Sequence, residues 1–218
     1  MDRISDLIAK LDSGFPWVRN RALNNLVEAG LPAVKEIVVA LDTPFMPICI
    51  NEVSSSNQAE FRALSDAIER WPVLVDVLVK IGEPGLPELQ NALHHSNPNV
   101  CITAMHAIGR IGHPSAVDLL LPYLQSKKPY ERAWALGALG QTHSPRVFEI
   151  LVPALDDESA EIKETAILAL GEIGDTRALP KLEQIAKSDT TQVENYGLTI
   201  GHVAKDAIKK IRKKDAQK

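Results

Sequence analysis

The stretch Ala107-Ile108-Gly109-Arg110-Ile111-Gly112 occurs three times along the chain with small changes. Its copies are 135–140, which read Ala-Leu-Gly-Ala-Leu-Gly, and 169–174, which read Ala-Leu-Gly-Glu-Ile-Gly. The first and third copies start 62 positions apart (169 − 107), which is two units of 31, and the middle copy starts three residues early. Because self-similarity at such a period is typical of repeat architectures, we expect stacked modules rather than one irregular core.

A second phrase precedes each copy of the first. Apolar segments that begin at 86, 116 and 147 end at Leu93, Leu124 and Leu155, which step by 31 residues each time. Each unit therefore reads as a short helix A, a polar turn, a longer helix B and a glycine stop.

The spacing of apolar residues favours helix over strand in helix B. Val100, Ala104, Ala107, Ile108 and Ile111 fall at relative positions 0, +4, +7, +8 and +11, which is one stripe of a 3.6-residue helix. One helix pair cannot bury its own apolar face, so we expect the pairs to stack.

The turns contain residues that begin and end helices. Residues 96–99 and 156–159 supply side-chain oxygens that can cap the free amides of helix B. Gly112, Gly140 and Gly174 follow the stripes, where we expect a left-handed residue to end each helix.

The N-terminal half is a weaker copy of the same pattern. Residues 18–26 carry the stripe, Gly30 ends it, and 31–41 begins like a helix A. We expect one repeat domain over 1–218, with an irregular insertion at about 42–59 and a capping unit at about 188–218. Further helices are predicted at 60–70, at 73–81 after a break at Trp71-Pro72, and from about Gly201 to Lys213.

Composition excludes several classes of protein. Lys and Arg number 24 against 28 Asp and Glu, a formal charge of −4, which argues against a surface that follows nucleic-acid phosphates. Two cysteines cannot build a disulfide framework, so we expect a reducing, cytoplasmic compartment. The first residues lack the basic and apolar regions of a signal peptide, and no uncharged run approaches the roughly 18 residues of a membrane span.

The phrase Ala-x-x-Ala-Ile/Leu-Gly-x-Ile/Leu-Gly resembles HEAT-like repeats of the phycobilisome-lyase type. The resemblance is good over 86–186 and partial over 4–41. It implies an all-α fold, an α-solenoid coiled as a right-handed superhelix of about six stacked helix pairs, which binds a protein partner on its concave face. Some members attach, isomerise or detach bilin chromophores on phycobiliproteins, and others are adaptors. A related helical-repeat class contains DNA alkyl-purine glycosylases.

In such stacks the B helices line the concave face. If the apolar stripe faces the core, positions +2, +6, +9 and +10 of each helix B point away from it. The predicted partner-binding residues are Asn20, Asn24, Ile102, His106, Arg110, Tyr130, Trp134, Glu164, Leu168 and Glu172. Ile102, Tyr130, Trp134 and Leu168 would form an apolar strip beside a shelf floored by glycines at +9. A different start of the third helix B would place Trp134 in the core instead.

No catalytic residue, metal site or cofactor is predicted. His94 and His95 are adjacent, so they do not share a helix face, and neither cysteine lies in a CxxC pair. The chain has no glycine-rich phosphate loop and no G-x-S-x-G motif. The basic segment 205–214 is explained by cations at a helix C-terminus, with a nucleic-acid or membrane contact as the alternative.

Three functions follow from these residues and from the resemblance. The first is a non-catalytic scaffold that binds a protein partner, because a repeat array presents a long surface and no acid, base and nucleophile converge. The second, a bilin lyase or chromophore-detaching factor acting on a phycobiliprotein, is implied by the resemblance alone. The third is a DNA alkyl-purine glycosylase-like enzyme, which acidic residues on the same face disfavour.

Overall fold

The computed structural model describes residues 3–13, 15–42, 71–193 and 198–217. These residues form two compact units, Met1–Ile111 and Gly112–Lys218. Within the described ranges the backbone is helical apart from turns and one isolated antiparallel bridge between Gln192 and Thr199.

The first unit contains six helices, counted over its described residues. They are α1 (Ile4–Lys10), α2 (Pro16–Ala29), α3 (Leu31–Leu41), α4 (residues 71–81), α5 (Leu86–Ala92) and α6 (Pro98–Ile111). Helix α5 packs against α6, and α3 contacts both of them. The largest fully buried side chains of this unit are Leu26, Ile37, Leu78, Leu89, Met105 and Ile108.

The second unit alternates short and long helices. They are α7 (Ala116–Leu120) with a 3₁₀ turn (Leu121–Gln125), α8 (Pro129–Gln141), α9 (Val147–Ala154), α10 (Ala160–Ile173), α11 (Leu179–Ser188) and α12 (Ile200–Asp215). A 3₁₀ turn (Thr176–Ala178) precedes α11. Helix α10 packs between α8 and α12, the shorter α9 contacts α8 and α10, and α11 contacts α12.

Helix caps occur where the sequence predicts them. The Ser159 hydroxyl accepts a hydrogen bond from the Ile162 amide at the start of α10, and the Asn97 side-chain oxygen accepts one from the Asn99 amide beside α6. A capping box formed by Thr199 and His202 begins α12, which is slightly longer than expected. Since each cap satisfies an amide that has no partner within the helix, the polar turns define where the long helices begin.

Glycine ends two of the three predicted helices. Gly112 and Gly174 have φ values of 65° and 75°, as expected for left-handed stops. The prediction for Gly140 is wrong, because α8 continues through it to Gln141 and His143 takes the positive φ of 52° instead. Gly140 is needed for a different reason: a Cβ there would lie 2.5 Å from the Cβ of Ala169 in α10.

The N-terminal predictions are mixed. Trp71 and Pro72, where the sequence analysis expects a break, are both helical, so α4 includes them instead of beginning at the expected residue 73. Most of the predicted insertion, residues 43–59, and the helix expected at 60–70 lie outside the described residues.

Candidate functional site

Helix α10 exposes one continuous stripe in the second unit. Leu168 is two residues from both Ala166 and Leu170, which are fully buried, so about 200° of rotation separates it from each. Its side chain is 44% exposed. The stripe, which we call the α10 stripe, consists of Glu161, Glu164, Leu168 and Glu172.

The three carboxylates of the α10 stripe have different surroundings. Burial, reinforced by the nearby charge of Glu161, raises the pKa of Glu164, which is half-buried. The pKa of Glu172 is lowered, chiefly by its hydrogen bond with Lys210 of α12, whose Nζ lies 2.7 Å from Oε1. Glu172 therefore has a cation beside it within the second unit, whereas Glu164 is held close to another negative charge.

Two glycine contacts determine how α8 and α10 are aligned. A Cβ on Gly137 would meet Thr165 Cγ2 at 3.7 Å, and one on Gly140 would meet Ala169 Cβ at 2.5 Å. The later glycine of α8 meets the later residue of α10, so the two helices run parallel. Each residue of α8 therefore lies level with the residue of α10 that is 28 or 29 positions later in the sequence. This close alignment requires glycine, since any larger residue at 140 would push the helices apart.

Tyr130 and Trp134 on α8 are both half-buried, neither in the core nor fully exposed. By the alignment above, Trp134 is level with residues 162–163, five or six positions before Leu168. At 1.5 Å per residue, that offset is about 8–9 Å along the helix axis. The predicted aromatic strip is therefore diagonal across the two helices rather than straight.

A small polar network lies beside Tyr130. Its hydroxyl donates to Glu131 Oε1 at 3.5 Å, and Lys128 Nζ lies 5.7 Å from the ring centroid and 2.8 Å from the same carboxylate oxygen. Lys128 and Ser126 hydrogen bonds lower the pKa of Glu131, against the effect of burial. The tyrosine thus combines an apolar ring with a charged surround, as binding surfaces often do.

The glycine shelf predicted at position +9 is absent from the described B helices. Gly171 faces α12, where a Cβ would lie 3.2 Å from the Cβ of Ala207, and Gly137 faces Thr165. Gly109 is buried within α6. These glycines permit close packing between helices and do not form the floor of a groove.

In the first unit, the prediction that Ile102 of α6 contacts the partner is wrong. Ile102 is only 5% exposed, in a helix that buries ten of its fourteen residues. Helices α3 and α5 both contact α6, and Trp71 of α4 donates from Nε1 to Thr103 Oγ1 at 2.9 Å. The spacing of apolar residues predicts one buried side of the helix, whereas neighbouring helices bury α6 on several sides.

Two other predicted residues of α6 lie at its exposed edge. Arg110 is exposed and forms a 2.7 Å ion pair with Asp76 of α4. His106 is half-buried, with its ring centroid 5.1 Å from that of Trp71. Burial and the charge of Arg110 lower the pKa of His106 to about 4, against the opposing effect of Asp76. The imidazole is therefore neutral at physiological pH.

Helix α2 contains the remaining predicted residues, and at its N-terminus lie two aromatic residues that the sequence analysis missed, one just before the helix and one inside it. Asn20 and Asn24 are exposed, as expected. Phe15 and Trp17 are 65% and 68% exposed, and their ring centroids lie 6.4 Å apart. Both precede Val18, the residue from which helix positions were counted, so the counting scheme did not include them.

The described residues give little sign of reaction chemistry. Among them, no three His, Cys, Asp or Glu side chains converge as metal ligands would. Cys101 is buried, and its thiol donates to the Leu93 carbonyl at 3.2 Å. No helix in the described ranges is both long and apolar enough to cross a bilayer.

Short and long helices that alternate, with parallel long helices side by side, define an α-helical repeat protein. Residues 72–132 and 118–196 each match the family model of HEAT repeats, and together these matches cover more than half of the chain. The chain belongs to the HEAT-repeat family. No curated protein is a significant match to it.

Solved structures agree with this fold. A crystal structure of an engineered protein is 18% identical to the chain, with 98% of each chain covered and a TM-score of 0.50. A designed armadillo repeat protein is 16% identical over 96% of this chain and 100% of its own, with a TM-score of 0.47. The complex of CpcE and CpcF of phycocyanin lyase from Nostoc sp. PCC7120 is 17% identical over 98% and 95%, with a TM-score of 0.38. At 18% identity the likeness to the engineered protein concerns the fold alone. Together with the helices of the described residues and the HEAT-repeat match, it confirms the expected all-α fold of α-solenoid type.

Proposed function

We propose that the chain is a non-catalytic scaffold that binds a protein partner through the exposed side of its B helices. In the second unit this surface consists of the α10 stripe together with Tyr130 and Trp134 of α8. In the first unit the proposed contact residues are Asn20, Asn24, His106 and Arg110. The observation that supports the proposal best is Leu168, a large apolar side chain exposed in the middle of an otherwise well-packed helix.

Leu168 has the surroundings of an interface anchor. Carboxylates lie on both sides of it along the same helix face, at Glu164 and Glu172, and the Trp134 position is offset from it by about 8–9 Å along the axis. Protein interfaces typically combine a small apolar centre with a polar rim, and aromatic side chains supply much of their binding energy. Glu172 is paired with Lys210 and Lys214. The negative charge of the rim is therefore concentrated at Glu161 and Glu164, and it favours a partner with a basic residue on that side of an apolar centre.

The same charges disfavour nucleic acid as the ligand of this surface. Affinity for a phosphate backbone comes mainly from Lys and Arg, and the α10 stripe contains three carboxylates instead. A glycosylase-like activity would also need a basic groove around a flipped base. A protein partner fits the charge of the surface better.

The proposal is tested by reversing the chemistry of Leu168 without disturbing the core. Leu168→Arg replaces an exposed residue, so the helical content and unfolding midpoint should stay close to those of the wild type. We expect it to abolish capture of partners from the source lysate, measured by affinity purification and mass spectrometry. Leu121→Arg is the matched control, because Leu121 is 40% exposed in the same unit but lies outside the proposed surface. Equal capture by both folded variants would refute the assignment of this surface.

A second proposal is that the partner is a phycobiliprotein, handled as the lyase type of HEAT-like repeat handles it. Its support is the repeated phrase at 107–112, 135–140 and 169–174. The test is to mix the purified chain with a phycobiliprotein or with free bilin, and to record the visible absorbance spectrum and co-elution. A shifted spectrum or co-elution is expected, and the absence of both would remove this proposal while leaving the scaffold function intact.

A further inference from the structure

A groove between α1 and α2 lies outside the surface proposed above. It has a volume of about 290 Å³. Its apolar lining comes from Leu7 of α1 and from Val18 and Ala22 of α2; Leu7 and Ala22 are buried and Val18 is half-buried. Trp17 lines the same groove. The groove is therefore an apolar depression beside a large aromatic side chain.

The aromatic residues at this groove are unusually accessible. Trp17 is 68% exposed, and Phe15, whose ring is tilted by 41° to it, is 65% exposed. Exposed tryptophan is costly in water and is enriched among residues that dominate binding energy. Two such rings 6.4 Å apart make an apolar surface that a partner can cover.

Both charged residues among the described residues that line the groove, Lys10 and Arg21, are cations. Lys10 already takes part in another interaction. Arg21 makes no ion pair in the described part of the chain, so its guanidinium is the one that an external anion can meet. Complementary charge on a partner would both attract it and orient it.

The size and walls of the groove indicate what kind of ligand it fits. Sites for small molecules usually enclose roughly 300–1,000 Å³. This open groove is at the lower limit of that range, so it suits one or two side chains better than a cofactor. Two helices form its walls, which is the arrangement that receives an amphipathic helix.

We propose that the groove between α1 and α2 binds an acidic amphipathic helix of a partner protein. A large apolar side chain of that helix seats against Trp17, and a carboxylate one turn away pairs with Arg21. This contact is independent of the α10 stripe, so either surface can fail its test while the other passes.

The test is a selection of random 15-residue peptides displayed against the immobilised full-length chain. Enriched peptides are synthesised with a fluorescent label and titrated by anisotropy against the wild type, Trp17→Ala and Arg21→Glu. Val39→Ala is the matched control, because Val39 is 68% exposed in the same unit but does not line the groove. Circular dichroism verifies that each variant keeps the wild-type helical content.

We expect enriched peptides in which apolar residues recur every three or four positions beside Asp or Glu. Trp17→Ala should weaken their binding by about thirtyfold and Arg21→Glu by about tenfold, whereas Val39→Ala should leave it unchanged. Binding should also weaken as salt is raised. Enrichment of basic peptides, binding that survives Trp17→Ala, or no enrichment at all would each overturn the proposal.

Discussion

The contact between Gly140 and Ala169 predicts that two neighbouring glycines of α8 respond oppositely to the same substitution. Gly137→Ala adds a methyl group 3.7 Å from Thr165 Cγ2, an ordinary contact, and it gains helix propensity. That gain is about 0.8–1.0 kcal/mol, so this variant should be more stable than the wild type. Gly140→Ala has the same gain in propensity but adds its methyl group 2.5 Å from Ala169 Cβ and 3.0 Å from Ala169 Cα.

The expected difference in stability between the two variants follows from these distances. Carbon atoms in good contact are about 3.5–4.0 Å apart, so α8 and α10 must separate by roughly 1 Å to accept the new methyl group. The propensity gain cancels when the two variants are compared, and the difference between them is the cost of overpacking, about 1–3 kcal/mol. The obstacle at Gly140 is a backbone-bound methyl group and not a flexible side chain, which places the cost in the upper part of that range.

Urea unfolding followed by far-UV circular dichroism measures the free energy of unfolding of both variants. Gly140→Ala should also be rescued in part by Ala169→Gly, so that a double-mutant cycle gives a coupling energy of about 1–3 kcal/mol. Equal stabilisation by the two Gly→Ala substitutions, or a coupling energy near zero, would refute the close approach of α8 and α10.

Three further predictions concern the ends of α10 and the histidine beside Trp71. The pKa of His106 is lowered from 6.5 to about 4, so the stability that the neutral imidazole contributes is complete above pH 6.5 and is lost as the pH falls towards 4. Between pH 7 and pH 5 the free energy of unfolding of the wild type, measured with urea, should therefore fall by up to about 2 kcal/mol more than that of His106→Gln. Ser159→Ala removes the cap of α10 and should cost about 1 kcal/mol in the same assay. Gly174→Ala places a Cβ at a φ of 75° and should lower the free energy of unfolding by about 1–2 kcal/mol.

Each of these has a result that would contradict it. Parallel pH profiles for the wild type and His106→Gln would mean that the imidazole is already accessible to protons in the folded state. Ser159→Thr, which keeps the hydroxyl, is the control for the cap and should retain most of the stability. Gly174→Asn should be milder than Gly174→Ala, since asparagine tolerates the left-handed region better, and the reverse order would argue against that backbone conformation.

The sequence predicts α10 of the second unit well because this helix has a complete local signal. The stripe of α10, the Ser159 cap before it and Gly174 after it are all short-range features, and all three occur in the structure. Gly140 was misassigned for a physical reason. Glycine serves both to end a helix and to admit a neighbouring helix, and local sequence does not distinguish the two uses.

The candidate site is less predictable because exposure depends on every neighbour of a helix. Leu168 is exposed as predicted, whereas Ile102 is buried because α6 is packed on several sides. The alignment of Trp134 with α10 depends on an interhelical contact, which periodicity within one helix does not contain. Trp17 was missed because the apolar count began one residue later.

Site-specific photo-crosslinking shows whether a protein partner contacts the α10 stripe. A photo-crosslinking amino acid replaces Leu168 in one variant and Leu121, of similar exposure, in another, and each is irradiated in source lysate. We expect a discrete crosslinked protein, identified by mass spectrometry, at position 168 and none at position 121. The same crosslinks from both positions, or crosslinks at 121 alone, would mean that no partner binds the α10 stripe specifically.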